Sequence, residues 1–206
     1  GGVIHLFAKE TPNRESFGKS VTTYGSYGLI KQSLGAGYSN ANSNLFSNYT
    51  HLKSDGFRDN SSYDRKSFNI HAKQKIGTKG NFSFLGIFTR LKAFIPSSIT
   101  ENDYLNHPER AAKTWEAAQG YESYDKSLFG LSYYHSFSDK WSLKSSVFSN
   151  SKKAYEPRPF DILAEKTNSF GFRSSLNYKS KLFSLPFESS IGSELLAENY
   201  EFSLTQ

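Results

Sequence analysis

The sequence predicts an all-β fold, namely part of a transmembrane antiparallel β-barrel of which about nine strands are present, with short helices in one long loop. Three observations predict it. Segments of about ten residues alternate between apolar and polar side chains, as strands with two different faces do. The links between them alternate between short and long, as in barrels with tight turns on one side of a membrane and long loops on the other. Aromatic residues make up 16% of a chain that is only 36% hydrophobic, which is typical of strands that face lipid.

The alternation predicts strands in the following order. They are residues 19–25, 29–39, 45–52, 67–76, 82–93, 127–137, 141–150, 169–178 and 183–195, with a strand-like run at 199–204. The pattern is sharpest in 67–76, where Phe68 and Ile70 lie on one face and His71 and Lys73 on the other. The phase of 82–93 stays open, because its first half is apolar on both sides.

The links between these strands fall into two classes. The short links are residues 39–44, 77–81, 138–140 and 179–181, and the long links are 54–65, 95–122 and 153–167. A water-soluble sandwich gives no reason for this segregation, although its single strands would alternate in the same way. The link lengths therefore favour the membrane barrel.

The longest link carries two helix signals. Thr100 followed by Glu101 and Asp103 is typical of an N-cap with acids in the first turn. Pro108 opens a second run that ends near Gly120. We expect two short helices, which either pack the loop over the mouth of the barrel or contact a ligand.

The chain is expected to be an internal piece of a longer protein. It begins with Gly1, contains no Met, and ends at Gln206 directly after a strand-like run. Single-chain bacterial barrels have an even number of strands, so an odd count predicts that the barrel continues.

Composition and motifs argue against most other functions. The chain has no Cys, which excludes disulfides and thiol chemistry. The net charge of +6 suggests nucleic acid, but the basic residues are dispersed and no block of five occurs. The five His residues are scattered, and no nucleophile elbow or phosphate-binding loop is present. We expect no catalytic residue, no metal site and no cofactor, and predict that the protein is not an enzyme.

Three segments resemble a known family in order and spacing. They read GGVIHLFAK at residues 1–9, YGSYG at 24–28 and SDGFRDNS at 54–61. These resemble the plug exit, the first barrel hairpin and a common loop between the third and fourth strands of TonB-dependent outer-membrane receptors. His5 and Ala8 depart from the Asn and Thr of the plug-exit pattern.

The resemblance implies a 22-stranded barrel closed by an N-terminal plug domain. Residues 1–9 would end the plug and residues 10–206 would form the first part of the barrel. The implied function is import of a scarce ligand, such as a ferric siderophore or another iron complex, across the bacterial outer membrane. The implied partners are the TonB complex, which supplies the energy, the ligand itself and outer-membrane lipid.

Candidate ligand contacts lie in the long links. They are Arg58, Asp59, Arg65, Glu101, Asp103 and Trp115. Residues 54–65 mix both charge signs with amides and aromatics, so this loop either binds a polar ligand or satisfies its own charges. The lumen residues Lys31, His71, Lys73, Lys144 and Arg173 are expected to contact the plug instead.

Three alternatives remain open at this stage. A glycan importer of the starch-utilisation type would share the architecture. A passive porin-like or structural barrel would lack a plug. A water-soluble β-sheet binding module or barrel enzyme would need neither detergent nor further strands.

Overall fold

A computed structural model describes residues 8–206, and the strands in this range form one antiparallel sheet. Within that range the strands are β1 (Ser16–Tyr24), β2 (Ile30–Ser39), β3 (Ser43–Ser54), β4 (Tyr63–Ile76), β5 (Gly80–Phe94), β6 (Tyr121–Ser136), β7 (Trp141–Pro157), β8 (Ile162–Leu182) and β9 (Leu185–Thr205). Each strand pairs with the next in chain order. The predicted fold class is confirmed. Residues 183–195 and 199–204, predicted as two runs, are one continuous β9 apart from the turn at its start.

Both predicted helices lie between β5 and β6. The first is α1 (Glu101–Asn106), in which the Thr100 side chain accepts a 3.1 Å hydrogen bond from the Asp103 amide, as predicted for its N-cap. The second is α2 (Lys113–Ala118), which begins five residues later than the sequence suggested. The Ala112 amide donates to the Pro96 carbonyl oxygen, at 2.8 Å, and this contact holds the preceding backbone extended. No helix among residues 8–206 combines the length and apolar character that crossing a bilayer requires.

The pairing register separates the side chains into two faces, because directly paired residues of antiparallel strands point the same way. We call the face that carries Leu34, Phe68 and Phe170 the apolar face. The opposite face carries Lys31 and Arg173 and is called the polar face. This assignment matches the sequence prediction for β2, β4, β6, β7 and β8.

The apolar face is exposed along its whole width. Large side chains on it that are at least 38% exposed include Ile30, Leu34, Tyr38, Leu45, Phe68, Phe82, Phe88, Phe129, Leu131, Val147, Phe170, Ile191 and Leu195. Among residues 8–206, the hydrophobic side chains that count as buried are Leu91 and Ala111. A sheet that exposes its apolar side chains and buries so few matches a lipid-facing wall better than a water-soluble core.

The register settles the phase of β5, which the sequence left open. Phe82, Phe84 and Phe88 lie on the apolar face, where Phe88 pairs with Phe68 of β4. Leu85 and Leu91 lie on the polar face. The pattern was ambiguous because both faces of this strand carry apolar side chains.

The links at the two ends of the strands differ in length. At one end, the short-turn end, the turns are residues 40–42, 77–79, 137–140 and 183–184. At the other, the long-loop end, the links are residues 25–29, 55–62, 95–120 and 158–161. Two predicted links were wrong. Residues 153–167 are mostly strand, because Lys153 to Pro157 pair with Ile162 to Lys166 and leave a four-residue link. Residues 179–181 belong to β8, and the turn lies at Phe183 and Ser184, both of which have positive φ.

A leading segment, residues 8–15, precedes β1 and crosses the polar face near the short-turn end. Thr11 is buried, at 3% exposure. Its hydroxyl donates to the Leu45 carbonyl oxygen at 2.6 Å, and its amide donates to Asn44 Oδ1 at 3.1 Å. Glu10 forms an ion pair with Lys73 of β4. Residues 1–7, which hold most of the predicted plug end, lie outside the described residues.

Candidate functional site: the loop cluster and the polar-face cleft

The two longest links pack against each other at the long-loop end, and together we call them the loop cluster, residues 55–62 and 95–120. Arg58 connects them: its Nε donates to the Arg110 carbonyl oxygen at 2.9 Å and its Nη1 to the Ser97 carbonyl oxygen at 2.8 Å. Charged donors give the stronger hydrogen bonds. The Arg58 side chain therefore holds the two links together, and much of its hydrogen-bonding capacity is used within the protein.

Asn60 makes the second connection. Its side-chain amide lies 2.9 Å from the Ile95 carbonyl oxygen, 3.0 Å from that of Gly120 and 3.3 Å from that of Trp115. Its backbone φ is +50°, a conformation in which Asn is enriched among non-glycine residues. The neighbouring Asp59 keeps its side chain exposed, while its amide donates to the Glu109 carbonyl oxygen at 2.7 Å. Asp59 is thus held by its backbone and open to solvent.

Trp115 lies over the end of the long link. Its ring packs so closely on Gly120 that a Cβ at residue 120 would collide with it. Its carbonyl oxygen accepts from the Gly120 amide at 3.0 Å. The side chain is half-buried, so one part stabilises the loop cluster and the rest remains available for contact.

The two acidic candidates on α1 differ in their surroundings. Asp103 accepts from the Thr100 hydroxyl at 2.8 Å and from Arg110 Nη1 at 3.1 Å. The hydrogen bond from Thr100 and then the Arg110 guanidinium lower the pKa of Asp103 below its ordinary value, against an opposing effect of desolvation. Glu101 is exposed in the first turn. Asp103 is therefore occupied in holding the loop, and Glu101 presents an exposed carboxylate.

Arg65 lies apart from the loop cluster. It belongs to β4 and projects on the polar face, where a cleft of about 230 Å³ is lined by Lys31, Arg65, Thr50, Ser67 and Asn69 among others. Both cations are exposed, and no carboxylate of residues 8–206 lies within 4.0 Å of either in an ion pair. Two uncompensated cations beside hydroxyl and amide groups can bind an anionic ligand.

The sequence had assigned Lys31 and Arg65 to different roles. The pairing brings them together, because Lys31 and Arg65 both pair with Leu52, on opposite sides of β3. No sequence pattern predicts that Lys31 and Arg65 lie close together, because their proximity depends on the register between β2, β3 and β4.

Other predicted lumen residues find partners among the described residues. Lys73 pairs with Glu10 of the leading segment, and Arg173 pairs with Glu194 of β9 at 2.8 Å. His71 is buried, with Nε2 3.2 Å from the Ser83 hydroxyl. Whether Lys144 and the rest contact a plug stays a prediction. Residues 8–206 contain no group of three or more His, Asp or Glu side chains that could hold a metal ion.

These features define the class of fold: an antiparallel wall of successive strands, apolar and exposed on one face, polar on the other, with all its long loops at one end. No protein-family model matches the sequence, and no curated protein matches it. Solved structures, in contrast, match nearly the whole chain.

Three of these solved structures are receptors, two of them receptors of the outer membrane. The alcaligin receptor FauA of Bordetella pertussis superposes with a TM-score of 0.70 at 11% identity, over 94% of this chain and 30% of that one. The ferric-catecholate import receptor Fiu of E. coli K12 gives 0.75 at 11%, over 94% and 35%. The ferripyoverdine receptor of Pseudomonas aeruginosa gives 0.74 at 10%, over 94% and 29%. The chain has the fold of part of these receptors and spans about a third of their length.

Proposed function

We propose that this chain forms part of a bacterial outer-membrane receptor that imports an iron complex, a ferric siderophore or a related chelate, with energy from the TonB complex. The observation that carries the proposal is the superposition of nine consecutive strands on iron-complex receptors over 94% of the chain. The solved structures are only 8–14% identical to this chain in sequence, so the ligand that each receptor binds does not identify the ligand of this protein.

The exposed apolar face supports a membrane location. In a barrel wall, the hydrocarbon of the bilayer covers apolar side chains, while polar side chains line the interior. Phe68, Phe88 and Phe129 would then lie in lipid, and Lys31 and Arg65 would face the interior. The long-loop end would lie outside the cell and the short-turn end in the periplasm.

The path of the leading segment favours a barrel that contains a plug rather than an open pore. It reaches β1 by crossing the polar face, where Thr11 is bonded to β3 and Glu10 to β4. A chain that arrives from within the lumen is what an upstream plug domain requires. A passive porin has no need of this approach.

Ligand capture would occur in two stages. Asp59 and Glu101 of the loop cluster offer exposed carboxylates at the mouth, and Trp115 offers the accessible part of its half-buried ring. Beneath them, Lys31 and Arg65 line a cationic cleft on the polar face. This arrangement suits an iron complex that carries negative charge, because cations attract it over several ångströms before contact.

The test uses the full-length protein in cells that lack other iron-complex receptors. Uptake of radiolabelled iron is measured with a catecholate, a hydroxamate and a citrate complex, with and without a protonophore. We expect one complex to be imported and the protonophore to abolish its import. Import that persists without energy would indicate a passive barrel, and uptake of oligosaccharides in place of iron would indicate a glycan importer; either result contradicts the proposal.

The residues are tested by paired substitutions. Lys31→Gln with Arg65→Gln removes the two cations of the cleft, and we expect the affinity for the imported complex to fall about tenfold or more. Lys19→Gln with Lys144→Gln removes the same charge elsewhere on the polar face and serves as the control. Equal affinities in the two variants would exclude the cleft as a ligand contact.

A further inference from the structure

A single line of directly paired residues crosses the polar face from β2 to β8. Every side chain in this line carries a hydroxyl or an ammonium group, and we call the line the polar row. Its members, in strand order, are Ser33, Thr50, Ser67, Thr89, Lys126, Lys152 and Thr167. Neighbouring strands lie about 4.8 Å apart, so the row is a continuous polar band.

The hydroxyl part of the polar row joins the cleft of Lys31 and Arg65. Thr50 and Ser67 belong to the row and also line the cleft. Ser67 Oγ lies 3.4 Å from Thr89 Oγ1, on the next strand. A hydroxyl has one donor and two acceptor positions, so these groups keep hydrogen-bonding capacity for a ligand. Row and cleft therefore form one surface.

Two lysines lie next to each other in the polar row, and we call them the lysine pair. Lys126 and Lys152 are directly opposite on β6 and β7, and like charges repel in this arrangement. Lys152 Nζ lies 4.0 Å from Glu122 Oε1 and 5.4 Å from the centre of the Tyr124 ring. Lys126 is exposed, and no carboxylate of residues 8–206 lies within 4.0 Å of it in an ion pair. The pair keeps a net positive charge, which a bound anion would compensate.

The lysine pair and the cleft are two separate cationic sites on the same face. Arg65 pairs with Leu91, and Lys126 pairs with Thr89, two residues further along β5. The Cα atoms of Arg65 and Lys126 are therefore about 12 Å apart. Both side chains are long and exposed. They can contact two anionic groups of one ligand, but a single carboxylate does not reach both sites.

The cleft suits oxygen ligands better than aromatic rings. None of the described residues that line it is aromatic. A tris-catecholate iron complex presents aromatic rings at its surface, and such rings gain most from aromatic or apolar contacts. A carboxylate, in contrast, pairs with ammonium and guanidinium groups and accepts hydrogen bonds from hydroxyls. The cleft and the polar row offer these three groups.

We propose that the cleft and the polar row together select an iron complex of a polycarboxylate, with one free carboxylate in the cleft and a second at the lysine pair. The hydroxyls of Ser67 and Thr89 lie between the two sites and donate to oxygen atoms of the chelate. The inference rests on the proposed function, and it names the class of chelate that the importer takes.

The experiment measures the binding of radiolabelled iron complexes to the detergent-solubilised full-length protein. The probes are ferric citrate, a ferric tris-catecholate, which is also anionic, and a ferric trihydroxamate, which is uncharged. We expect ferric citrate to bind at least about tenfold more tightly than either of the others. Equal or tighter binding of the tris-catecholate would overturn the inference, because negative charge alone would then explain the affinity. Equal or tighter binding of the trihydroxamate would overturn it as well.

Two double variants locate the second carboxylate. Lys126→Gln with Lys152→Gln removes the lysine pair, and we expect ferric citrate to bind about tenfold more weakly. Lys19→Gln with Lys144→Gln removes the same charge elsewhere on the polar face, and is expected to change the affinity less than about twofold. Equal losses in both variants would mean that net charge attracts the complex, and would overturn the site.

The hydroxyls of the polar row are tested by Thr89→Val, which keeps the shape of the side chain. We expect ferric citrate to bind about threefold more weakly. Thr22→Val makes the same change on the apolar face of β1 and is the matched control. Equal affinities in these two variants would overturn the assignment of the row hydroxyls to the chelate.

Failure of the inference and failure of the proposed function give different results. Heat-modifiable migration in a detergent gel shows whether each variant forms its barrel. Binding and import of the tris-catecholate in place of ferric citrate would overturn the inference and leave the import of iron complexes standing. Binding of none of the three complexes would contradict both.

Discussion

The side-chain amide of Asn60 donates a 3.0 Å hydrogen bond to the carbonyl oxygen of Gly120, across 60 positions of the chain. The same amide lies within 3.3 Å of two further carbonyl oxygens of the long link. One side chain thus anchors the β3–β4 link to the base of the β5–β6 link. Arg58 makes the second side-chain connection between the two links, through the carbonyl oxygens of Ser97 and Arg110.

Replacing Asn60 with Asp should loosen the loop cluster. The substitution keeps a residue that tolerates a positive φ, but it removes the donor and brings a carboxylate up to three carbonyl oxygens, at a local cost of about 1–3 kcal/mol. Hydrogen exchange of the full-length protein should become faster in residues 95–120. Asn102→Asp, an exposed change of the same kind on α1, is the control. Unchanged exchange in Asn60→Asp would show that Asn60 does not anchor the link.

Replacing Gly37 with Ala should release the leading segment. A Cβ at residue 37 would collide with the Phe17 ring and the Thr11 hydroxyl, whereas one at Gly18 meets nothing within 4 Å. Overpacking of this kind costs about 1–3 kcal/mol. We expect trypsin to cleave after Arg14 faster in Gly37→Ala than in Gly18→Ala. Equal cleavage rates would mean that the segment is not held at Gly37.

Deleting residues 102–119 from the full protein should weaken ligand binding and leave the barrel folded. The deleted residues belong to a link, and the strands pair without them, since β5 and β6 are joined from Gly80–His135 through Phe94–Tyr121. Affinity for the imported complex is measured by titration, and folding by heat-modifiable migration. Unchanged affinity would exclude this link from ligand capture.

The start of α1 should loosen at low pH. The pKa of Asp103 is lowered by its hydrogen bond from Thr100 and by Arg110, so its stabilising effect is fully present above the ordinary carboxyl pKa. That effect is lost as the pH falls through the lowered pKa. Hydrogen exchange of residues 100–110, corrected for the intrinsic pH dependence, should rise in that range. Asp103→Asn should remove the pH dependence, and a rise that persists in this variant would assign it to another group.

The local alternation of apolar and polar residues was sufficient to predict most strands of the sheet. The alternation of Phe68 and Ile70 with His71 and Lys73 predicted β4 and both of its faces, and Thr100 with its following acids predicted α1. The pattern failed at two places, the turn between β8 and β9 and the ends of β7 and β8. The turn at Phe183 and Ser184 uses positive φ without glycine, so no turn residue marked it, and the polar ends of β7 and β8 were read as a loop although they pair.

The candidate site was less accessible to sequence reasoning than the wall. The sequence identified Arg58 and Asp59 as members of one polar loop, but not that Arg58 bonds to the carbonyl oxygens of Ser97 and Arg110. It did not predict that Lys31 and Arg65 lie on either side of Leu52. These relationships depend on which residues pair across neighbouring strands, and a shift of one residue would move every side chain to the other face.

The sequence by itself determined that this protein is a succession of two-faced strands with long links at one end. The reason is that apolar and polar side chains alternate with a period of two, which is visible in consecutive residues. Only the tertiary structure decided the register, the extent of the β7–β8 hairpin, the phase of β5 and the partners of the loop cluster. These depend on hydrogen bonds between segments tens of residues apart, and on which apolar side chains the sheet can leave exposed.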